Sequence, residues 1–293
     1  METNRKILTI GLSISGISML VAIILIYFTQ MKQPIFFEHY YDLWILKEDT
    51  YPEDNFFVLK YITNSDDGRK VTGITFPEYP QGSFTTYDTI VPNNFFLFNQ
   101  TQNTVENCGR YSIHTLYIRY DGIELDMEDE ILLTKAKLQF DNGETFEDNI
   151  GKIILYQEDK SPGYLPVKGG EGSSNGDMTY QYFVNVDMVM SGIEDIHLRE
   201  MREYLDFRIE GVDYTMISGL DYQKGDYIDT MSKFITYKKP SAKFILYNMK
   251  PKLYFINQWG NDCSVRMEPL NNLTQFDYDT ISIFRYFMER EER

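Results

Sequence analysis

The chain holds few residues of the kinds that do chemistry. Histidine occurs at His39, His114 and His197, and cysteine at Cys108 and Cys263. No two histidines stand at local metal-ligand spacing, and HExxH, GxSxG and Walker A sequences are absent. His114 lies in RYSIHTLYIRY on the side of Leu116 and Ile118, which reads as a core histidine. His39 falls close behind an apolar N-terminal stretch, and His197 sits among charged neighbours. The cysteines have no CxxC partner. In an oxidising compartment Cys108 and Cys263 are a disulfide candidate, with two free buried thiols the equal alternative.

Carboxylates are plentiful, so pairs of them discriminate little. The densest run is GIELDMEDE, in which Glu124, Asp126, Glu128 and Glu130 alternate. On an extended strand all four would share one face, and hard oxygen ligands of that kind suit Ca²⁺. The run lacks the D-x-[DN]-x-[DN]-G loop, so a solvated acidic edge is the plainer reading. The glycines of GGEGSSNGD follow PVK and precede a strand, the wrong context for a phosphate cradle. Asn99-Gln-Thr101 and Asn272-Leu-Thr274 match the glycosylation sequon. No cofactor and no catalytic residue is assigned.

The element that must place all of these is apolar. Residues 7–28 carry no charge. As a helix they span roughly 33 Å, against a hydrocarbon core of about 30 Å. The stretch outruns a signal-peptide core and ends IILIYFTQMK without a small-x-small site, so it reads as an uncleaved signal anchor. Arg5 and Lys6 precede it and Lys32 follows, which puts residues 1–6 in the cytoplasm and the remainder outside the cell membrane. Within the span, Gly11, Ser15, Ser18 and Ala22 form one narrow helical stripe, a spacing that suits a partner transmembrane helix or a homodimer. Ser13 and Gly16 lie off that stripe, and small residues are common in such helices anyway.

Net charge is −16 and 15% of residues are aromatic, with 23 Tyr and 20 Phe. An acidic surface disfavours nucleic acid, whereas aromatics suit half-buried pleated sheet. Alternation in FFVLKYIT (56–63), KVTGITF (70–76) and ILLTKAKLQF (131–140) predicts strands. Asn142-Gly143 predicts a hairpin back into IGKIILYQ. The expected fold is mainly β, all-β or α+β: one transmembrane helix, then a β-sandwich-like region of one or two tandem modules. The boundaries are 33–165 for a first module, 166–177 for a flexible loop or linker, and 178–293 for a second module with one or two short helices. MTYQYFVNVDMVM reads as one alternating strand, IEDIHLREMREYL as a helix, and the tail TISIFRYFMEREER as either.

The functional expectation is an accessory or binding role at the cell envelope, with a protein or envelope polymer as ligand. The alternatives are an envelope hydrolase using two distant carboxylates, and the same anchor with its body in the cytoplasm. If the stripe packs a partner helix, Leu at positions 11 and 15 abolishes crosslinking along that face. Unchanged association in a membrane reporter assay leaves the stripe without a role.

Overall fold

The computed structural model describes residues 2–45, 56–87, 105–121, 123, 125, 129–157, 163–173, 177–194, 196–235, 239–272 and 277–291. The chain opens with α1 (Glu2–Thr29), then β1 (Ile35–Phe36), β2 (Glu38–Trp44), β3 (Phe56–Asn64) and β4 (Val71–Thr75). Next come β5 (Ser83–Tyr87), β6 (Val105–Cys108), β7 (Tyr111–Asp121), β8 (Glu130–Phe140) and β9 (Thr145–Tyr156). Its middle holds β10 (Val167–Gly172), β11 (Met178–Phe183), β12 (Met188–Ile193), α2 (Ile196–Met201), β13 (Leu205–Ile209) and β14 (Val212–Asp213). The remainder is β15 (Asp221–Tyr222), β16 (Tyr227–Phe234), β17 (Ile245–Met249), β18 (Lys252–Asn257), β19 (Asp262–Arg266), β20 (Leu270–Asn272) and α3 (Thr280–Glu291). The chain is mainly β, with one long apolar helix at its start.

The central sheet runs β20-β17-β2-β9-β8-β4. Its middle strand, β2, is parallel to both neighbours, β17 and β9. One face packs against the sheet β1-β3-β7-β5, with β6 also on β7, to enclose a first core around Phe36, Leu59, Ile62, Ile118, Leu138 and Ile153. A second core, around Tyr182, Phe207, Met190, Phe255 and Tyr247, joins β17 to two further sheets, β10-β11-β16-β13-β14 and β15-β12-β18-β19. Successive residues of β2 point to opposite cores, Tyr41 and Leu43 to the first and Tyr40 to the second. Parallel sheets are covered on both faces, and β2 is buried along its length up to Leu43.

Chain order and core membership cross in both directions. Phe244, Leu246, Tyr278, Ile283, Tyr286 and Phe287 come from the end of the chain yet line the first core. The stretch expected as a flexible loop or linker, 166–177, carries β10, which pairs antiparallel with β11 and leaves its own residues exposed. The single strand expected over 178–190 is two: β11 and β12 sit in different sheets, while Tyr182, Val184, Val186 and Met188 keep their common face toward the second core. The predicted helix over 193–205 contracts to α2, because Leu205 already pairs with Phe234 in β13. The tail is helical. The β8–β9 hairpin forms as expected, but only Gly143, at φ +83°, takes the left-handed conformation, the pattern of a three-residue turn with a bulge.

Two residues lock the centre. His39 is fully buried, accepts the Lys60 N–H at Nε2 (3.0 Å), and donates from Nδ1 to the Ile150 carbonyl (3.2 Å). It therefore staples the central sheet to β3 in its neutral form, and burial depresses its pKa from 6.5 to about 3. Beside it β9 bulges, with the stretch around Gly151 standing opposite Thr134 of β8. Gly151 has φ +95°, and a Cβ there would lie 2.3 Å from the His39 carbonyl oxygen. Both the torsion and the close backbone approach require glycine.

Gly151→Ala is expected to cost about 2–4 kcal/mol, read as a lowered melting temperature of the detergent-solubilised chain. For His39, the unfolded chain takes up a proton below pH 6.5 that the folded chain refuses until about pH 3. The stabilisation is complete above pH 6.5 and is lost on acidification at up to about 1.4 kcal/mol per pH unit. The difference in slope between the native chain and His39→Gln across that window measures it; parallel slopes refute the assignment.

Candidate functional site: a polar seam between two cores

Among the described residues, buried ionisable groups meet where the central sheet faces the second core. Asp42 of β2 points that way, as do Glu38 and Tyr40. Its Oδ1 meets His197 Nε2 of α2 at 3.1 Å and its Oδ2 accepts the Lys250 N–H at 2.7 Å. Both side chains are almost fully buried. A carboxylate oxygen accepts, so Nε2 is the donating nitrogen, and among the described residues Nδ1 finds no partner. The imidazole also stands edge-on to the Tyr40 ring, with centroids 6.0 Å apart.

Arg266 of β19 makes the second knot. Its Nη2 donates to Glu130 of β8 at 2.6 Å and its Nη1 to the Lys250 carbonyl at 3.1 Å, with Glu194 at 3.7 Å. The guanidinium also stacks over the Tyr156 ring of β9 at 3.9 Å. Burial pushes the Glu194 carboxyl above its ordinary value, and the facing Arg266 holds it back in part. At the seam's outer side Lys152 of β9 pairs with Glu200 of α2 at 2.7 Å. At the other end of β2, Arg290 of α3 reaches Glu38 (3.6 Å), Asp148 (3.3 Å) and the Asn149 carbonyl (2.8 Å).

Chemically the seam resembles an acid pair but is closed. Glu130 and Glu194 are held on one guanidinium, which is only 6% exposed and occupies the space between the two carboxylates, while Glu130 itself is 35% exposed. The open depressions lie elsewhere. One of about 310 Å³ is lined by Ser191, Gly192, Tyr254, Asp262 and Cys263. Another, of about 460 Å³, follows Gly169, Gly170, Gln181, Asp229 and Met231. The first adjoins an apolar outer face, where Val189 and Ile256 oppose each other in register and, with Tyr254, are each 40% exposed. Trp259, in the β18–β19 turn, is 64% exposed.

Of the residues singled out from sequence, Glu130 enters the seam through Arg266; Glu124, Asp126 and Glu128 lie outside the described residues. Among the described residues no group of three His, Cys, Asp or Glu is placed to hold a metal ion. Cys108 and Cys263 are free thiols rather than a bridge: Cys108 ends β6 in the first core, while Cys263 lies on β19 against the second. Cys108 Sγ faces Glu106, and Cys263 Sγ accepts from Asn257 Nδ2 at 3.3 Å. Gly11, Ser15, Ser18 and Ala22 lie on α1, which is exposed on every side there, so nothing in the fold sets the stripe apart. His114 is half-buried at the edge of the first core, stacked on Tyr61 and bonded to Thr63. Asn272 is 1% exposed in β20, which closes that sequon to a glycosylating enzyme once the chain is folded, while Asn99 lies outside the described residues. Sequence reading missed Asp42, Glu194 and Arg266. The available signal was EHYYDLW, with three ionisable groups in an aromatic strand.

No protein-family model matches the chain, and no curated protein matches it. Among solved structures it is similar to the fibronectin(III)-like modules of Clostridium thermocellum CbhA, at 9% identity and a TM-score of 0.19, over 84% of this chain and 98% of that one. A superposition that loose carries no argument about function.

Arg266→Met strands Glu130 and Glu194 and is expected to destabilise the chain by about 2–4 kcal/mol. Adding Glu130→Gln and Glu194→Gln to it should restore most of that loss in thermal melts. Additive losses across the three changes would mean that the groups act independently.

Proposed function

We propose that this chain is a single-pass membrane protein, anchored by α1, that holds a β-rich binding or accessory body outside the cell membrane with residues 1–6 in the cytoplasm. The observation that carries the reading is the helix itself. Gly11–Thr29 has a mean hydropathy of 2.2 and is 0% buried within the fold. An apolar surface of that length with no protein cover needs lipid. Arg5 and Lys6, against Lys32, supply the orientation.

A binding role rests on the outer face where Val189 opposes Ile256 and Tyr254 follows on the same strand, since neighbouring exposed apolar residues on a folded body mark interaction surfaces. Its ligand is a protein or an envelope polymer; at a net charge of −16 nucleic acid is disfavoured. The closed state of the Glu130–Arg266–Glu194 group favours binding over the hydrolase alternative.

Alkaline carbonate extraction should leave the full chain in the membrane pellet, and protease added to intact cells should release the body. Recovery in the soluble fraction defeats the anchor. A pelleted chain resistant to external protease, yet cleaved after lysis, places the body in the cytoplasm instead.

A further inference from the structure

The junction between α1 and the body has no slack. Gln30 alone separates the end of the helix from Met31, which is 3% exposed in the first core. The Met31 backbone is held at both ends by one side chain, with its N–H on Asn64 Oδ1 (2.9 Å) and its carbonyl on Asn64 Nδ2 (2.7 Å). The Tyr111 hydroxyl donates to the Thr29 carbonyl at 2.7 Å. Arg110 reaches further along the helix, from Nη1 to Thr29 Oγ1 (2.8 Å) and from Nη2 to the Ile26 carbonyl (3.5 Å). Ser65 joins the same group by donating its N–H to the Arg110 carbonyl at 2.8 Å.

Those contacts set a depth. The charge-free residues 7–28 cover roughly 33 Å as a helix, against the roughly 30 Å of a bilayer's hydrocarbon. Ile26 to Thr29 therefore lie at the boundary between hydrocarbon and headgroups. Arg110, bonded to Ile26 and Thr29, lies at that level too, as do Tyr27 and Phe28, whose rings are exposed. A guanidinium has five N–H donors, so those given to the helix leave others for phosphate oxygens.

We infer that the turn between β6 and β7, together with Ser65, is a membrane-seating surface that rests in the phospholipid headgroup layer, with Arg110 donating to lipid phosphate. The inference rests on the proposed anchor. A flexible stalk would let the acidic body drift from the surface; here Arg110, Tyr111 and Asn64 clamp it down.

The test uses the full chain in phosphatidylcholine nanodiscs, with Cys263→Ser and the buried Cys108 retained. A nitrobenzoxadiazole label at Ser65→Cys should be quenched at least twofold by headgroup spin-labelled lipid. A label at Leu20→Cys should be quenched by lipid labelled deep in its acyl chain. Quenching at position 20 without quenching at 65 overturns the seating surface and leaves the anchor standing. No quenching at position 20 overturns the anchor and this inference with it. Arg110→Glu should at least halve the quenching at position 65 while position 20 is unaffected; an unchanged value removes Arg110 from the contact. Asp66→Cys, an adjoining exposed position, replaces Ser65→Cys if the latter misfolds.

Discussion

Everything in the body closes around β2, a strand with no free side. Parallel partners take its backbone on both edges, and a core lies against each face. Such strands are ordinarily runs of Val, Ile and Leu. This one carries Glu38, His39 and Asp42, all buried. An unpaired buried polar group costs about 1–3 kcal/mol and a buried charge more, so each must be met. Each is met from a different quarter: Glu38 by Arg290 of α3, His39 by β3 and β9, and Asp42 by α2 and Lys250. The polar positions of β2 thus select which distant segments pack against it. A uniformly apolar strand would leave that choice to shape alone.

What was legible in the sequence follows from range. The apolar helix, the alternation of β3, β4 and β8, and the β8–β9 hairpin are local patterns, and all formed. The face formed by Tyr182, Val184, Val186 and Met188 was also readable, but not the jump between sheets within it. Alternation reports which way a side chain points and says nothing of which strand lies alongside. The parallel pairing of β17 with β2 joins residues some two hundred positions apart, and no local pattern encodes it. The same holds for α3: its helicity was ambiguous and its docking on Phe37 through Tyr286 was invisible. The seam is built from such long-range pairs, so Asp42 and Arg266 could not be matched in advance.

Position in the fold decides what the charges of the seam do. Glu130, Glu194 and Arg266 have the composition of an acid-base site, and Glu194 has the raised pKa that burial gives a general acid. Catalysis also needs space for a substrate between the groups, and here the guanidinium fills it against Tyr156. Buried ion pairs often add little net stability over an apolar packing of equal volume. Their value is geometric, because each pairing admits one arrangement of its partners. The seam is best understood as the register between two cores.

That register bears on the proposed role. The exposed face of Tyr254 and Ile256 belongs to β18, which begins two residues after Lys250 and lies beside Arg266. Lys250 and Arg266 are the groups that tie this sheet to β2, β8 and β9. The central sheet in turn meets β3 through His39, and β3 and β7 hold the end of α1 through Asn64 and Tyr111. An unbroken series of hydrogen bonds and ion pairs therefore runs from the apolar face to the apolar helix. A body on a flexible tether would sample many orientations above the membrane and lose that freedom on binding. If the helix anchors the chain as proposed, the face is presented at an orientation already set by the helix, which would lower the ordering cost of engaging a partner held in or against the same bilayer.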